Sequence, residues 1–449
     1  MNYPVFFALV VFILAASLYI GKKSSVGIKS QKDYFLSGRS LSLFKVAMTI
    51  LATQLGGGAI MGAAEAAYHH GWIAISYSLG LAIGLIILSL GVGAKFRRMN
   101  ISTIPEIFKK VYDSEFLRLF SSSLYVISMF FILVATGVSA RKFSLAIGYH
   151  NDITFIIFWL IIIAYTTTGG LSAVTRTDIL QVIFVLVAFV LTFLSLASSD
   201  IVYSVNAPSV DMKNVPWMSW LIFPCLFAIT GQDMAQRCFA AESPKAISRA
   251  TAWAAIFLLI ASLLPAYLGV IAYKSGFESV GNSSVLINIV NKLTNPYITS
   301  IFACAILMAI LSTADSLLCA ISSNVALDFF PMIRGKSMKS TNVAKAITVV
   351  IGLSAMLFSF FAETIIPIMV IAYELSMCSL FVPVIMAVTR KNPPTKMAAY
   401  LSSFSGIFAF IVLSLFSQFQ YKAIMALVIS LFAFLVTESL KSCSQKILK

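Results

Sequence analysis

The chain has 449 residues, of which 59% are hydrophobic and 11% charged, and its mean hydropathy is +0.94. Soluble domains carry about 25% charged residues, so this composition is that of a polytopic all-α membrane protein, and with no long polar stretch an appended kinase, nucleotide-binding or catalytic domain is not expected. The net charge of +15 sits in short loops between apolar runs, which argues for a membrane-orientation signal rather than a nucleic-acid surface.

The first apolar run, 3–20, lacks a basic n-region and a small-residue cleavage site, so it reads as a retained helix rather than a signal peptide. A spanning helix needs about 20 apolar residues. Further runs at 43–68, 72–94, 117–146, 153–170, 174–198, 217–236, 249–273, 296–329, 342–362, 364–390, 397–416 and 421–440 bring the expected number to about thirteen. Several are too long for one straight span and are expected to tilt, break or continue into the interface. With the N-terminus outside, the inward segments hold 25 lysines and arginines and the outward loops hold six, Arg141, Lys142, Lys213, Lys274, Lys292 and Lys422. Basic residues concentrate on the cytoplasmic side, so the N-terminus is expected outside and the C-terminus in the cytoplasm. The lean length and short tails suggest a bacterial inner (plasma) membrane.

Segment 43–68 contains Gln54-Leu55-Gly56-Gly57-Gly58-Ala59. Each glycine weakens a helix interior by roughly 1 kcal/mol against alanine. Unwound backbone at membrane depth survives only where protein or a cavity satisfies it, and its free carbonyls can then bind a cation. A small-residue patch for close helix packing is the competing reading. Segment 217–236 carries Pro224 and then Thr230-Gly231-Gln232-Asp233. Two interrupted helices at corresponding places point to an inverted-repeat transporter. The expected organisation is a first helix and cytoplasmic loop (1–42), a five-helix repeat (43–198), a second inverted five-helix repeat (217–390), and two C-terminal helices with a short tail (391–449).

A solute would sit near the midplane between the two breaks. The candidate lining residues are Gln54, Gly57, Gly58, Phe131, Phe227, Gln232, Tyr373 and Glu374. Three carboxylates fall at or within apolar segments, where a charge is costly and usually functional. Asp178 closes the run from Thr166, and its competing reading is a helix N-cap. Asp315 neighbours the hydroxyls of Ser312, Thr313 and Ser316, oxygen ligands suited to a hard cation. For those hydroxyls the competing reading is back-bonding to the i−4 carbonyl. Glu374 can serve a solute or a gate, or pair with a basic side chain or a water-filled cavity.

Five stretches carry a family resemblance: Asp33-Tyr34-Phe35-Leu36-Ser37-Gly38-Arg39, Thr103-Ile104-Pro105-Glu106, Gly169 to Gln181, Gln236-Arg237 with Ala241-Glu242-Ser243-Pro244, and Ser312 to Ser316. In this order, over about 33–390, they resemble the sodium:solute symporter family. The resemblance implies the leucine-transporter fold, a five-plus-five inverted repeat, with Na+ as coupling ion. It implies a main sodium site at Ala52, Leu55, Ala309, Ser312 and Thr313, and in some members a second at Asp178, Ser312, Asp315 and Ser316. Gly56-Gly57-Gly58 and Ala64 to Tyr68 are similar to the choline-transporter branch, whose tryptophan before the glycines is Gln54 here. Ala135 to Gly148 and Gly231-Gln232 are similar to the sodium/proline branch, whose aspartate in the first broken helix is again Gln54.

The expected function is sodium-coupled import of a small organic solute, an amino acid such as proline being the first candidate. The partners expected are that solute and the lipid bilayer, with no nucleic acid and no obligate protein. Proton coupling on a buried aspartate and a transporter-like solute sensor are the alternatives. No nucleophile–base pair or phosphate loop suggests an enzyme. The six cysteines, Cys225, Cys238, Cys304, Cys319, Cys378 and Cys443, form no Cys-x-x-Cys pair, so neither a disulfide framework nor a transition-metal site is expected. His69-His70 reads as a loop feature.

Overall fold

Backbone polar groups inside a bilayer must be satisfied within their own segment, which leaves the helix as the element for a chain this apolar. A computed structural model describes residues 1–26, 28, 30–148, 152–197, 215–276, 284–331, 342–416 and 419–447, and these are nearly all helical. Ten helical runs among them are long and apolar enough to cross a membrane. The opening helix α1 (Tyr3–Ser25) leads to a short α2 (Gln31–Leu36). Helix α3 (Leu43–Gln54) stops at Leu55 (φ −84°, ψ 54°), and a wide helical turn over Gly58–Gly62 restarts the chain as α4 (Ala63–His70). Next come α5 (Ile75–Ile87), α6 (Gly93–Met99), α7 (Glu106–Tyr112), α8 (Glu115–Ala146) and α9 (Ile153–Ala197). The second interruption separates α10 (Trp217–Thr230) from α11 (Gln232–Ala240) at Gly231, whose backbone is extended (φ −62°, ψ 142°). The remaining helices are α12 (Pro244–Lys274), α13 (Val285–Leu293), α14 (Pro296–Asn324), α15 (Asn342–Phe358), α16 (Ile366–Thr389), α17 (Lys396–Phe416) and α18 (Lys422–Ile447).

Ten long runs answer to about thirteen expected spans because α9 carries two of them and the broken segments 43–68 and 217–236 are divided into shorter helices. Helix α9 has 45 residues, and at 1.5 Å per residue it is about twice as long as a bilayer core is thick. It bends at Gly170 (φ 53°, ψ −151°), the junction between expected spans 153–170 and 174–198. A β-carbon there would lie 2.5 Å from the Tyr34 carbonyl oxygen, so glycine serves both the bend and the contact. The Tyr34 hydroxyl donates to the carbonyls of Thr166 (3.3 Å) and Thr167 (3.1 Å). The Asp33 to Arg39 stretch thus pins a loop beneath the bend.

Helix α14 lies at the centre, packed on α1, α3, α8, α9 and α15. Every residue from Phe302 to Asn324 is buried, as befits a helix that is apolar all round and enclosed by protein. Its Ser312–Ser316 stretch faces the first break. Outward-facing Val11, Phe12, Phe408, Leu415, Val428 and Phe432 leave α1, α17 and α18 with apolar surfaces suited to lipid.

The glycine run serves both readings offered for it. A β-carbon at Gly56 would fall 1.8 Å from Thr313 Oγ1, at Gly57 2.5 Å from Ser139 Oγ, and at Gly58 2.4 Å from Met369 Sδ. The helix breaks there, and α8, α14 and α16 pack against it without room for a side chain. Gly56→Ala is therefore expected to cost about 1–3 kcal/mol of stability through overpacking and to push Thr313 out of line. A thermal melt in detergent with and without sodium reads both effects; an unchanged melt that keeps its sodium response would contradict the packing.

Candidate functional site: a hydroxyl–carbonyl cluster, a buried charge network and a midplane pocket

In an unbroken helix the carbonyl of Ala52 would accept from the Gly56 N–H and that of Thr53 from Gly57. The end of α3 leaves such carbonyls without a helical donor, and α14 supplies hydroxyls instead. Ser312 Oγ lies 3.0 Å from Ala52 O and 3.0 Å from Ala309 O, while Thr313 Oγ1 lies 3.0 Å from Thr53 O and 3.2 Å from Ala309 O. Back-bonding and cross-helix contact hold together here, because each hydroxyl can donate along its own helix or across the gap. Ala52, Ala309, Ser312 and Thr313 converge as expected. Leu55 is buried at the same break, with its N–H on Leu51 O at 2.8 Å. Neutral carbonyls and hydroxyls bind a monovalent hard cation weakly enough to release it.

A network of charges adjoins this cluster. Asp178, Asp315 and Arg237 are all fully buried. Asp178 Oδ2 accepts from the Thr49 hydroxyl and lies 3.8 Å from Arg237 Nη2. Arg237 Nε donates to Thr49 Oγ1 (3.1 Å), Nη1 to the Asp233 carbonyl (2.8 Å) and Nη2 to Ser316 Oγ (2.5 Å). Asp315 accepts from the Tyr165 hydroxyl (2.8 Å) and from Ser316 (3.3 Å). The N-cap reading of Asp178 fails, because Asp178 lies inside α9, past the Gly170 bend. Its Oδ1 has no hydrogen-bond partner among the described residues. Two carboxylates against one guanidinium leave an excess of negative charge in a dry core, where unpaired charge is costly. One monovalent cation would balance it. Arg237, one of the 25 inward basic residues of the sequence, is fully buried and so belongs to the site; the excess of inward basic residues keeps its sign without it.

A cavity of about 20 Å³ lies between the breaks, lined in part by Gln54, Gly58, Phe227 and Tyr373 as expected, together with Tyr77, Ile132, Asp233, Leu317 and Met369. The hydroxyls of Tyr77 and Tyr373 share a hydrogen bond of 3.0 Å, Tyr77 also reaches Met369 Sδ at 3.4 Å, and the Phe227 and Tyr373 rings lie 4.5 Å apart. This aromatic cover closes one side of the cavity.

Four candidates stand elsewhere. Phe131 is 43% exposed on the outer face of α8, and Ile132 takes the inward place. Adjacent helical residues differ by about 100° in direction, which is the whole of that error. Gln232 turns from the cavity: its Oε1 accepts from the Ile104 N–H (2.7 Å), and its Nε2 donates to Ser323 Oγ (3.3 Å). Asp233 lines the cavity in its stead. Glu374 opens on a separate cavity of about 630 Å³ with His70, Ser219, Trp220, Gln420 and Lys422, and Lys422 lies within electrostatic reach. Gly57 packs on Ser139 between the two glycines that line the site.

Gln232 belongs to a clamp at the end of the bundle formed by residues 101–118. Asp328, fully buried, accepts from Arg118 Nε (2.9 Å), Thr103 (3.0 Å) and Ser122 (3.3 Å). The Thr103-Ile104-Pro105-Glu106 stretch thereby ties the loop before α7 to α11 and to the end of α14.

A model of the sodium:solute symporter family matches residues 34–389. The chain belongs to the sodium:solute symporter family. It is thus a multi-pass membrane protein of a transporter family, not of an enzyme family. The chain is 27% identical over 339 residues to a sodium/proline symporter of Salmonella typhimurium, covering 69% of this chain and 67% of that protein. It is 28% identical over 367 residues to a sodium/proline symporter of Staphylococcus aureus (76% and 71%). It is 24% identical over 413 residues to high-affinity choline transporter 1 of Drosophila melanogaster (87% and 67%). Among solved structures, a substrate-bound, outward-open Na+-coupled sialic acid symporter superposes with a TM-score of 0.80 at 20% identity, covering 97% of this chain and 98% of that one. A nucleobase-cation-symport-1 family transporter in a closed conformation gives 0.63 at 14% identity (90% and 93%). The fold is accordingly of the leucine-transporter type.

Proposed function

We propose that the chain is a sodium-coupled secondary active symporter that imports a small organic solute by alternating access, with proline as the first candidate. The observation that carries this reading is the meeting of the Ser312 and Thr313 hydroxyls with the Ala52, Thr53 and Ala309 carbonyls at the α3 break. Ala52, Leu55, Ala309, Ser312 and Thr313 form the main sodium site. Asp178, Ser312, Asp315 and Ser316 form the second, where the unpartnered Asp178 oxygen takes part of the ion's coordination. Sodium bound at the first site fastens α3 to α14 and so favours one orientation of the midplane pocket.

The two five-helix units, 43–198 and 217–390, act as inverted repeats that move against each other. The Tyr77–Tyr373 contact gates one side and the clamp around Asp328 and Gln232 the other. The excess of basic residues in the inward loops supports an N-terminus outside and a C-terminus in the cytoplasm of a plasma membrane. The relatives named for proline and choline supply the first solutes to try. Proton coupling is the second reading, favoured by the same Asp178 oxygen, which a proton would satisfy equally well.

The test is uptake of labelled solutes, led by proline, into proteoliposomes under an inward sodium gradient. Accumulation that collapses with a sodium ionophore supports the proposal. Accumulation that follows a proton gradient and ignores sodium overturns the ion assignment. Binding without net uptake replaces symport with sensing.

A further inference from the structure

We infer that the transported solute carries a positively charged nitrogen and that the Asp233 carboxylate is its counter-ion. This rests on reading the midplane cavity as the transport site. Asp233 lines that cavity, is only 3% exposed, and has an Oδ1 with no hydrogen-bond partner among the described residues. A buried carboxylate oxygen that lacks a hydrogen bond is costly, and it is retained where something completes it.

The nearest cation, Arg237, acts on the carboxylate through space but gives it no hydrogen bond. All three nitrogens of the Arg237 guanidinium donate elsewhere, to Thr49, to Ser316 and to the backbone carbonyl of Asp233 rather than its carboxylate. The position within α11 supplies the rest. Asp233 is the second residue of that helix after the break, where N–H groups and the helix dipole favour an anion. In a broken-helix transporter this helix end is available to an anionic part of the substrate. Here the protein's own carboxylate has taken that place, so a solute carboxylate meets repulsion and a solute ammonium meets attraction.

The remaining walls suit a cation. Phe227, Tyr373 and Tyr77, the last stacked at 6.4 Å from Tyr373, line the same cavity as the carboxylate and supply the aromatic surface that ammonium groups favour. Gln54 adds an amide for a neutral polar part of the solute. Amines and quaternary ammonium compounds fit this set, and a zwitterionic amino acid fits it with its ammonium toward α11.

The experiment is equilibrium binding to the full chain in detergent at saturating sodium. The probes are proline, choline and other small ammonium solutes, with 3,3-dimethylbutan-1-ol as the uncharged counterpart of choline. In the native chain at least one cationic probe should bind about 10-fold or more tighter than the neutral counterpart, the size expected of a charge-assisted contact. Asp233→Asn should remove most of that preference and Asp233→Glu should keep part of it, while the sodium concentration that half-stabilises the protein stays the same in all three. The glutamate variant guards against a fold defect in the asparagine variant. A neutral or anionic solute that binds as tightly as every cationic probe, or no binding by any cationic probe to sodium-stabilised native protein, overturns the inference. So does Asp233→Asn shifting the sodium midpoint while leaving the charge preference, because Asp233 would then serve the ion. Loss of sodium-driven uptake with the charge preference intact would sink symport alone.

Discussion

The double variant Ser312→Ala, Thr313→Ala is expected to raise the sodium concentration for half-maximal transport by about 10- to 100-fold, with expression and fold retained. Each hydroxyl contributes a hydrogen bond worth roughly 1 kcal/mol, and each is also a direct oxygen ligand in the proposed site. Removing both strips two of its five oxygens while leaving the Ala52, Leu55 and Ala309 carbonyls in place. The same change leaves the freed Ala52 and Thr53 carbonyls without the donors they now have at 3.0 Å. Water or an ion must then satisfy them, so unliganded protein should melt lower as well. Thr313→Ser separates the two effects, since it keeps the hydroxyl and loses only a methyl group. Sodium-dependent uptake in proteoliposomes is the measurement. A half-saturating sodium concentration unchanged in the double variant would remove this cluster as the main ion site.

The sequence carried the composition of the site more clearly than its geometry. Three consecutive glycines marked the first break and Gly231 the second, because glycine is poor in a helix and both occur inside apolar runs. Asp178 and Asp315 stood out because a carboxylate in an apolar run is rare. Rotation about the helix axis was beyond such signals. Phe131 stands beside the inward Ile132, Gln232 beside the inward Asp233, and Glu374 one residue beyond the lining Tyr373. Each is a single step of about 100°. In a membrane helix the outer face is apolar too, so patterning gives no phase to choose by. The aromatic partner Tyr77 had no local mark at all, since its role depends on α5 meeting α16. Arg237 was hidden differently. A basic residue near a predicted helix end reads as a loop charge until its burial beside Asp178 and Ser316 is seen.

Arg237→Gln should therefore be among the most damaging single substitutions in the chain, and sodium should partly repair it. The native guanidinium faces Asp178 and Ser316 from within a fully buried network that also holds Asp315. Removing one partner of a buried ion pair typically costs about 3–5 kcal/mol, because the remaining charge stays desolvated and unpaired. A sodium ion restores one positive charge at the same place. The variant's melting temperature should thus rise more steeply with sodium than the native protein's, with potassium as the control for ionic strength. Adding Asp178→Asn should recover most of the lost stability, since it removes the carboxylate left without Arg237 and returns the network to its native excess of one negative charge, while asparagine keeps an oxygen for Thr49. The price is the second ion: Arg237→Gln with Asp178→Asn should fold yet show a shallower dependence of uptake on sodium than the native chain. Equal sodium responses in native and Arg237→Gln protein would mean that the guanidinium and the ion do not compete for the same carboxylates. Asp178 would then be a structural partner of Arg237, and coupling would rest on the Ser312–Thr313 cluster alone.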